Sequence, residues 1–431
     1  MHRFFLPSLA VLTTVFFLLN ACSGTGPQAH IRLLNASSGY DSLDLYVNAD
    51  SSADTRELSA VKYETVSSYA GLDKNTYAVK FNVSGVSSTL ATLAAEALSD
   101  DTHTTYVAYG PSGSFATLKI AEDVDAADSG QTNLTVLNTA GTGALDVYLT
   151  DDSVSLNDAA PIFSNITSGT AAPRQTISSG TYRLRVTGTG DNTDLRFDAS
   201  NVTFSSTQVV SLILTATEGG VLVNALVLPQ QSSLTAYENT KARVRGAVGI
   251  ANGSAVTATA GGAGLFTSAT LGVIGSRYVQ VDAGSMATSV TVDGNAVSVP
   301  DDVLVPGGDY TLLVWNDATG TQTTWISDDN RLPASTDSVK IRLLNGMSGL
   351  GAPATLAVDY SPTAEDVALG EASAATELDS SSNYEVDVTD ANTGQNLLSL
   401  AGVSLQGPGV YTMFVAGGGG VAVSATLRKD R

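Results

Sequence analysis

Few side chains in this sequence can carry covalent or metal chemistry. Of its 431 residues, three are His and one is Cys, and beyond the first residues only His30 and His103 remain as imidazoles. A zinc centre or a Ser-His-Asp relay needs more than that. The spacings H-E-x-x-H, G-x-S-x-G and G-x-x-x-x-G-K-[ST] do not occur. Ser59-Ala60-Val61-Lys62 satisfies S-x-x-K without S-D-N or K-T-G partners, and in a Ser-rich chain it reads as chance. Gly188-Thr189-Gly190 opens no helix and reads as a hairpin turn. The doublets Asp100-Asp101, Asp151-Asp152, Asp301-Asp302 and Asp328-Asp329 read as loop carboxylates that could take Ca²⁺ with backbone carbonyls. A metal required by a repeated fold would recur in every copy; these do not, so a solvated acidic surface is expected. Trp315 and Trp325 flank the turn Asn316 to Gly320. If residue 315 pairs with 321, both rings share a sheet face about 13 Å apart, as a sugar-stacking platform would. The apolar run Leu312-Leu313-Val314-Trp315 favours a core role instead. No catalytic, cofactor-binding or metal-ligating residue is assigned, and a non-enzymatic protein is expected.

Composition narrows the class. With 43% hydrophobic and 15% charged residues the chain is folded, and a formal charge of −21 makes nucleic acid a poor partner. The N-terminus reads Met1-His2-Arg3 and then an apolar run from Phe4 to Leu19. That is too short to span a bilayer at about 20 residues, and it has the layout of a cleaved signal. Leu19-Asn20-Ala21-Cys22 resembles the lipobox of bacterial lipoproteins, in which the Cys is diacylated and becomes the new N-terminus. Cys22 is therefore the expected lipidation site. By resemblance to enterobacterial sorting, Ser23 favours the outer membrane, with the periplasmic or surface face left open.

The remaining chain repeats itself. Ile31-Arg32-Leu33-Leu34-Asn35 recurs as Leu134 to Asn138 and Ile341 to Asn345, with a weaker copy at Ala242-Arg243-Val244-Arg245-Gly246. Some ten residues on come Leu43-Asp44-Leu45-Tyr46, Leu145-Asp146-Val147-Tyr148 and Val358-Asp359-Tyr360; the third copy lacks this landmark. A turn then feeds a strand at Tyr77, Tyr182 and Tyr384, and a last strand carries Tyr106, Tyr310 or Tyr411. Tyr46, Tyr77, Tyr148, Tyr182, Tyr360 and Tyr384 are taken as structural repeat positions. Short runs rich in Val, Thr, Tyr and Leu alternate with period two, which predicts antiparallel strands with one buried and one wet face. The nearest approach to a helix is the Ala-rich Leu90 to Leu98. The expected fold is all-β: four tandem immunoglobulin-like antiparallel β-sandwich domains after an N-terminal signal peptide. Expected bounds are a signal at 1–21, a tether at 22–29, and sandwiches at 30–125, 132–230, 240–333 (degenerate) and 338–431.

At Arg32-Leu33-Leu34-Asn35-Ala36-Ser37, with Asp44 and Tyr46, and again at the boundary Asp328 to Pro333 leading into Ile341, the chain resembles a bacterial family known as domain of unknown function 4397. The resemblance implies tandem sandwiches in an exported lipoprotein, and carries no catalytic residues across. The function expected is that of a lipid-anchored, acidic cell-envelope protein serving as a structural spacer or protein-interaction surface, with a membrane held through its N-terminal lipid. The alternative is a surface adhesion or glycan-binding module, calcium-assisted through the acidic loops. No cofactor is expected, and the envelope or glycan partner is not identified by the sequence.

Overall fold

The computed structural model describes residues 26–49, 53–250 and 253–431, so Cys22 and the signal segment lie outside the described residues. Strands account for almost all regular structure in them, with one 3-10 turn at Leu156–Asp158. The first unit shows the plan. One sheet centres on Ala29–Ala36, with the short strands Thr65–Val66 and Ala70–Leu72 on one side and His103–Tyr109, then Ala116–Ala121, on the other. A second sheet runs Thr55–Lys62, Ser42–Ala49, Asn75–Val83, Thr89–Leu98. Between them lie Leu33, Leu45, Val79, Phe81 and Tyr106, all fully buried. Each such side chain contributes about 1.5–3 kcal/mol by leaving water. The same pair of sheets recurs around Gln131–Asn138, Lys241–Val248 and Ser338–Gly346, giving β-sandwiches along the chain.

The sheets are not purely antiparallel. In every unit the opening strand runs parallel to a late strand, which carries a Tyr in all but the second: Leu33 opposite Tyr106, Val136 opposite Leu212, Val244 opposite Tyr310, Ile341 opposite Tyr411. Strands in parallel pairs tend to be covered on both faces and to read as near-continuous apolar runs. Here that cover is the next sandwich. Leu33 faces its own core, while Leu34 packs with Val107 against Leu137, Ile213, Leu226 and Leu228 of the second unit. Likewise Ala247, Ile274 and Leu313 of the third unit pack against Leu344, Phe414 and Ala416 of the fourth. The face expected to be wet is therefore dry in these sheets.

Three further expectations are corrected. The Ala-rich segment is the strand Thr89–Leu98, because pairing with Asn75–Val83 outweighs the modest helix preference of Ala. Trp315 pairs with Gln322, not residue 321, and Trp325 with Leu312. A one-residue slip moves side chains to the opposite face. Trp325 thus packs in the third sandwich beside Leu312 and Val314, while Trp315 joins the contact with the fourth, and no two-Trp platform exists. Finally, Tyr360 follows its strand, Ala354–Val358, and stands 74% exposed at φ 64°.

Candidate functional site

The repeat landmarks have physical causes. Asp44 is buried and accepts bonds from the Ala60 amide at 2.8 Å and from Ser84 Oγ at 2.6 Å, with Arg56 at 3.3 Å. Ala60 sits at φ 51°, at a bulge in the neighbouring strand. Burial opposes ionisation of Asp44, but the Ser84, Ala60 and Arg56 contacts outweigh it and hold its pKa below the usual carboxylate range. Asp146 does the same for Asn165, at 2.7 Å and φ 54°. In the third and fourth units Thr257 and Thr355 replace the Asp, accepting from Ser268 and Asp366 at 3.1 and 3.4 Å, both at positive φ. The landmark missing from the third copy is present as a Thr, and Val358-Asp359-Tyr360 is not its equivalent in the fourth.

Buried arginines link the units. Arg32 donates to Thr105 Oγ1 at 2.8 Å and Glu122 at 2.5 Å within its own sandwich, and to the Ser232 carbonyl of the second at 2.7 Å. Its guanidinium lies 4.7 Å over the Tyr69 ring, and the Tyr69 hydroxyl donates to Glu122. Arg245 repeats this with Thr311 and Tyr278, whose hydroxyl donates to Asp328 at 2.6 Å. The true counterpart of Arg32 is thus Arg245, two residues beyond the Arg243 of the sequence alignment. Across the third-to-fourth contact the ion pairs are exchanged: Arg245 binds Asp430, and Arg342 binds Asp328 at 2.6 Å. Burial opposes the charge on Asp328, but Arg342 and Arg245, with Thr311 and Tyr278, overcome it and lower its pKa. Asp328 is therefore part of a dry network, not a loop carboxylate. Asp100, Asp101, Asp151, Asp152, Asp301 and Asp302 are exposed. Among the described residues no three His, Cys, Asp or Glu side chains are grouped to hold a metal ion.

The sequence-predicted Tyr positions divide. The Tyr77, Tyr182 and Tyr384 hydroxyls donate to the carbonyls of Asp73, Ser178 and Asp379 at 2.9, 2.7 and 2.6 Å. Tyr77 and Tyr148 are buried, Tyr46 and Tyr182 half-buried. The two imidazoles meet: His30 and His103 stack at 4.7 Å between centroids, and His103 Nδ1 lies 2.8 Å from Asp123.

The concave site lies elsewhere, where loops of the first, second and fourth sandwiches converge. A cleft of about 440 Å³ is walled by Tyr109 and Pro111, by Gly141 and Gly169, and by the linker Leu332-Pro333, with Pro408 completing it. A second cleft of about 330 Å³ shares Ser38, Ala216 and Arg331 with it. Ser38 Oγ is buried without a hydrogen-bond partner. So are Thr142 Oγ1, between the lining residues Gly141 and Gly143, and Asn330 Oδ1, beside Arg331. Arg331 is the one charged residue in the lining of the larger cleft, and it is bound to Asp329 at 2.7 Å. None of these residues carries a sequence motif, and only convergence of distant loops reveals them.

No curated protein matches the chain. Among solved structures it is similar to CBMbc (family CBM26) from Eubacterium rectale Amy13K, in complex with maltoheptaose, at 13% identity and a TM-score of 0.16, covering 46% of this chain and 96% of that one. It is also similar to the Bacillus anthracis TIE protein, at 8% identity and a TM-score of 0.15, covering 67% of this chain and 50% of that one. The family model of a domain of unknown function, DUF4397, matches residues 29–148, which span the first sandwich and the first two strands of the second. The likeness to a known family thus lies over residues 29–148, where the DUF4397 model matches.

Proposed function

We propose that this is a non-enzymatic component of the bacterial cell envelope, tethered to the outer membrane by a lipid on Cys22, whose sandwiches act as one stiff body that spaces or presents a surface to an envelope partner. The observation supporting this is the exchanged pairing of Arg245 with Asp430 and of Arg342 with Asp328 across a dry contact between units. Close-packed faces locked by buried, fully bonded charges resist hinge motion, whereas units joined only by linkers would move independently. Cys22→Ser tests the anchor. The variant is expected in the soluble fraction after export, and retention in membranes through a carbonate wash would refute the tether.

A second reading, a surface adhesion or glycan-binding module, is favoured by the 440 Å³ cleft. Its size falls within the range of about 300–1,000 Å³ in which small-molecule sites occur.

A further inference from the structure

We propose that the cleft walled by Tyr109, Leu332 and Pro333 binds a small acidic ligand, whose carboxylate or phosphate is held by the open end of the Arg331 guanidinium. Neither reading above requires such a site.

Arg331 lines both clefts with its side chain 37% exposed, so an occupant can reach it. Its Nε and its backbone amide both donate to Asp329 Oδ1, at 2.7 and 3.0 Å. Its two terminal nitrogens make no hydrogen bond among the described residues, unlike those of Arg32, Arg196, Arg245 and Arg342. The guanidinium is held in place from behind. The Asn330 amide donates to the Gly219 carbonyl at 3.1 Å, and at Gly220, φ 80°, a Cβ would strike the Arg331 stem. What remains is a planar pair of N–H donors on a fixed base, which matches two oxygens of a carboxylate or phosphate.

The charge balance of the wall has the sign an anion needs. Asp329, the partner of Arg331, also serves Lys340 at 3.4 Å. Beside the lining residues Gly141 and Gly143, Arg196 and Arg431 both donate to the Thr142 carbonyl. Arg196 is matched by Asp194, and the nearby Arg243 by Asp309, but among the described residues no carboxylate pairs with Arg431. Burial and the charges of Arg196 and Arg243 push the Arg431 pKa down to about 9, as an excess of positive charge does. Five cations thus share three carboxylates, on a chain whose formal charge is −21. The exposed Glu218 of the smaller cleft offsets only part of this excess. Gly143 carries no side chain, and its Cβ position lies 3.8 Å from Arg431 Nη2, so that charge stands close behind the cleft wall. Arg431 attracts an anion through its field, which a concave low-dielectric wall focuses, while Arg331 makes the contact. A cleft of about 440 Å³ admits a ligand of monosaccharide size or smaller.

The test uses the full chain carrying Cys22→Ser for solubility. Glucuronate, glycerol phosphate and inorganic phosphate are titrated by calorimetry, with glucose as the uncharged control. At least one of the acids is expected to bind, and glucose is not. Binding of glucuronate alone assigns a carboxylate ligand, binding of the phosphates alone assigns a phosphate, and binding of both shows a fork that accepts either. Raising salt from about 10 to about 150 mM, which shortens the screening length from about 30 to about 8 Å, is expected to weaken binding several-fold. Arg331→Gln is expected to weaken it more than about tenfold, and Arg331→Lys, which keeps the charge without the fork, by less. Lys74→Gln, the same charge change at an exposed position of the first sandwich, is expected to leave affinity within about twofold. Ala334→Trp, at an exposed lining position, fills the cleft without altering a charge, and is expected to block binding at an unchanged melting temperature. Anion binding that survives both Arg331→Gln and Ala334→Trp would be surface attraction only and would overturn the site. Glucose bound as tightly as glucuronate would overturn the acidic class and leave the glycan-binding reading standing. No acid bound at about 10 mM would overturn the proposal outright.

Discussion

Tyr77 and Tyr360 were both picked from the sequence as repeat positions, and they behave oppositely. Tyr77 is 8% exposed and its hydroxyl reaches back to the Asp73 carbonyl, tying the turn to the strand that follows it. Tyr360 is 74% exposed, with its hydroxyl on Glu385. Tyr77→Ala leaves a cavity and an orphaned carbonyl, and should cost about 3–5 kcal/mol in a denaturant melt, against about 0.5–1.5 kcal/mol for Tyr77→Phe. Tyr360→Ala should change stability by less than about 0.5 kcal/mol, as exposed substitutions do. The letters group Tyr360 with Tyr46 and Tyr148, because Asp-Tyr in a turn and Asp-apolar-Tyr in a strand look alike until strand pairing fixes where the strand ends.

At the scale of the element, the bulge opposite Asp44 is the feature that recurs in all four units. An Asp or Thr on one strand holds the amide of a non-glycine residue at positive φ on the next. A left-handed backbone costs an L-residue about 1–2 kcal/mol, so the acceptor supports an otherwise disfavoured conformation. Asp44→Ala should destabilise the protein by about 1–3 kcal/mol by leaving the Ala60 amide unbonded. Ala60→Gly in the same background should restore up to about 1 kcal/mol, since glycine relieves the backbone term. A double-mutant cycle by thermal melting checks both, and no recovery in the double variant would mean that the bulge stores no strain. The sequence carried this device as its apolar-Asp-apolar-Tyr landmark in two units. In the others Thr hid it, because a hydroxyl and a carboxylate perform the same acceptor role with different letters.

For the whole molecule, the contact between the third and fourth sandwiches sets how the chain responds to acid. Asp328 binds its proton more weakly folded than unfolded, because Arg342 and Arg245 outweigh its burial. Its contribution is therefore complete above about pH 4, near the ordinary carboxylate value, and is lost as pH falls through the lowered folded value. Melts taken from neutral to acidic pH should show the loss concentrated below about pH 4, with Asp328→Asn flattening that limb. Arg342→Met should cost about 3–5 kcal/mol, since Asp328 and Asp430 would lose a buried partner. Residues 338–431 in isolation expose the face of Leu344, Phe414 and Ala416 and leave Arg342 facing water. That fragment should melt at lower temperature than residues 240–431, and equal melting of the two would show the contact to be energetically idle.

What the sequence determined by itself was local and periodic: strands from period-two alternation, repetition from Arg32-Leu33-Leu34-Asn35 and its copies, and the all-β class from both. Alternation is imposed by the pleat within each strand, so it survives in the letters. The tertiary structure alone decided the parallel pairing of first and late strands, the dry contacts between sandwiches, the opposite faces of Trp315 and Trp325, and the cleft at Ser38. Each of these depends on a register or a meeting of segments far apart in the chain. Arg245 shows the limit at one residue: the letters align Arg243 with Arg32 equally well, and only the opposing Thr311 across the parallel ladder selects Arg245.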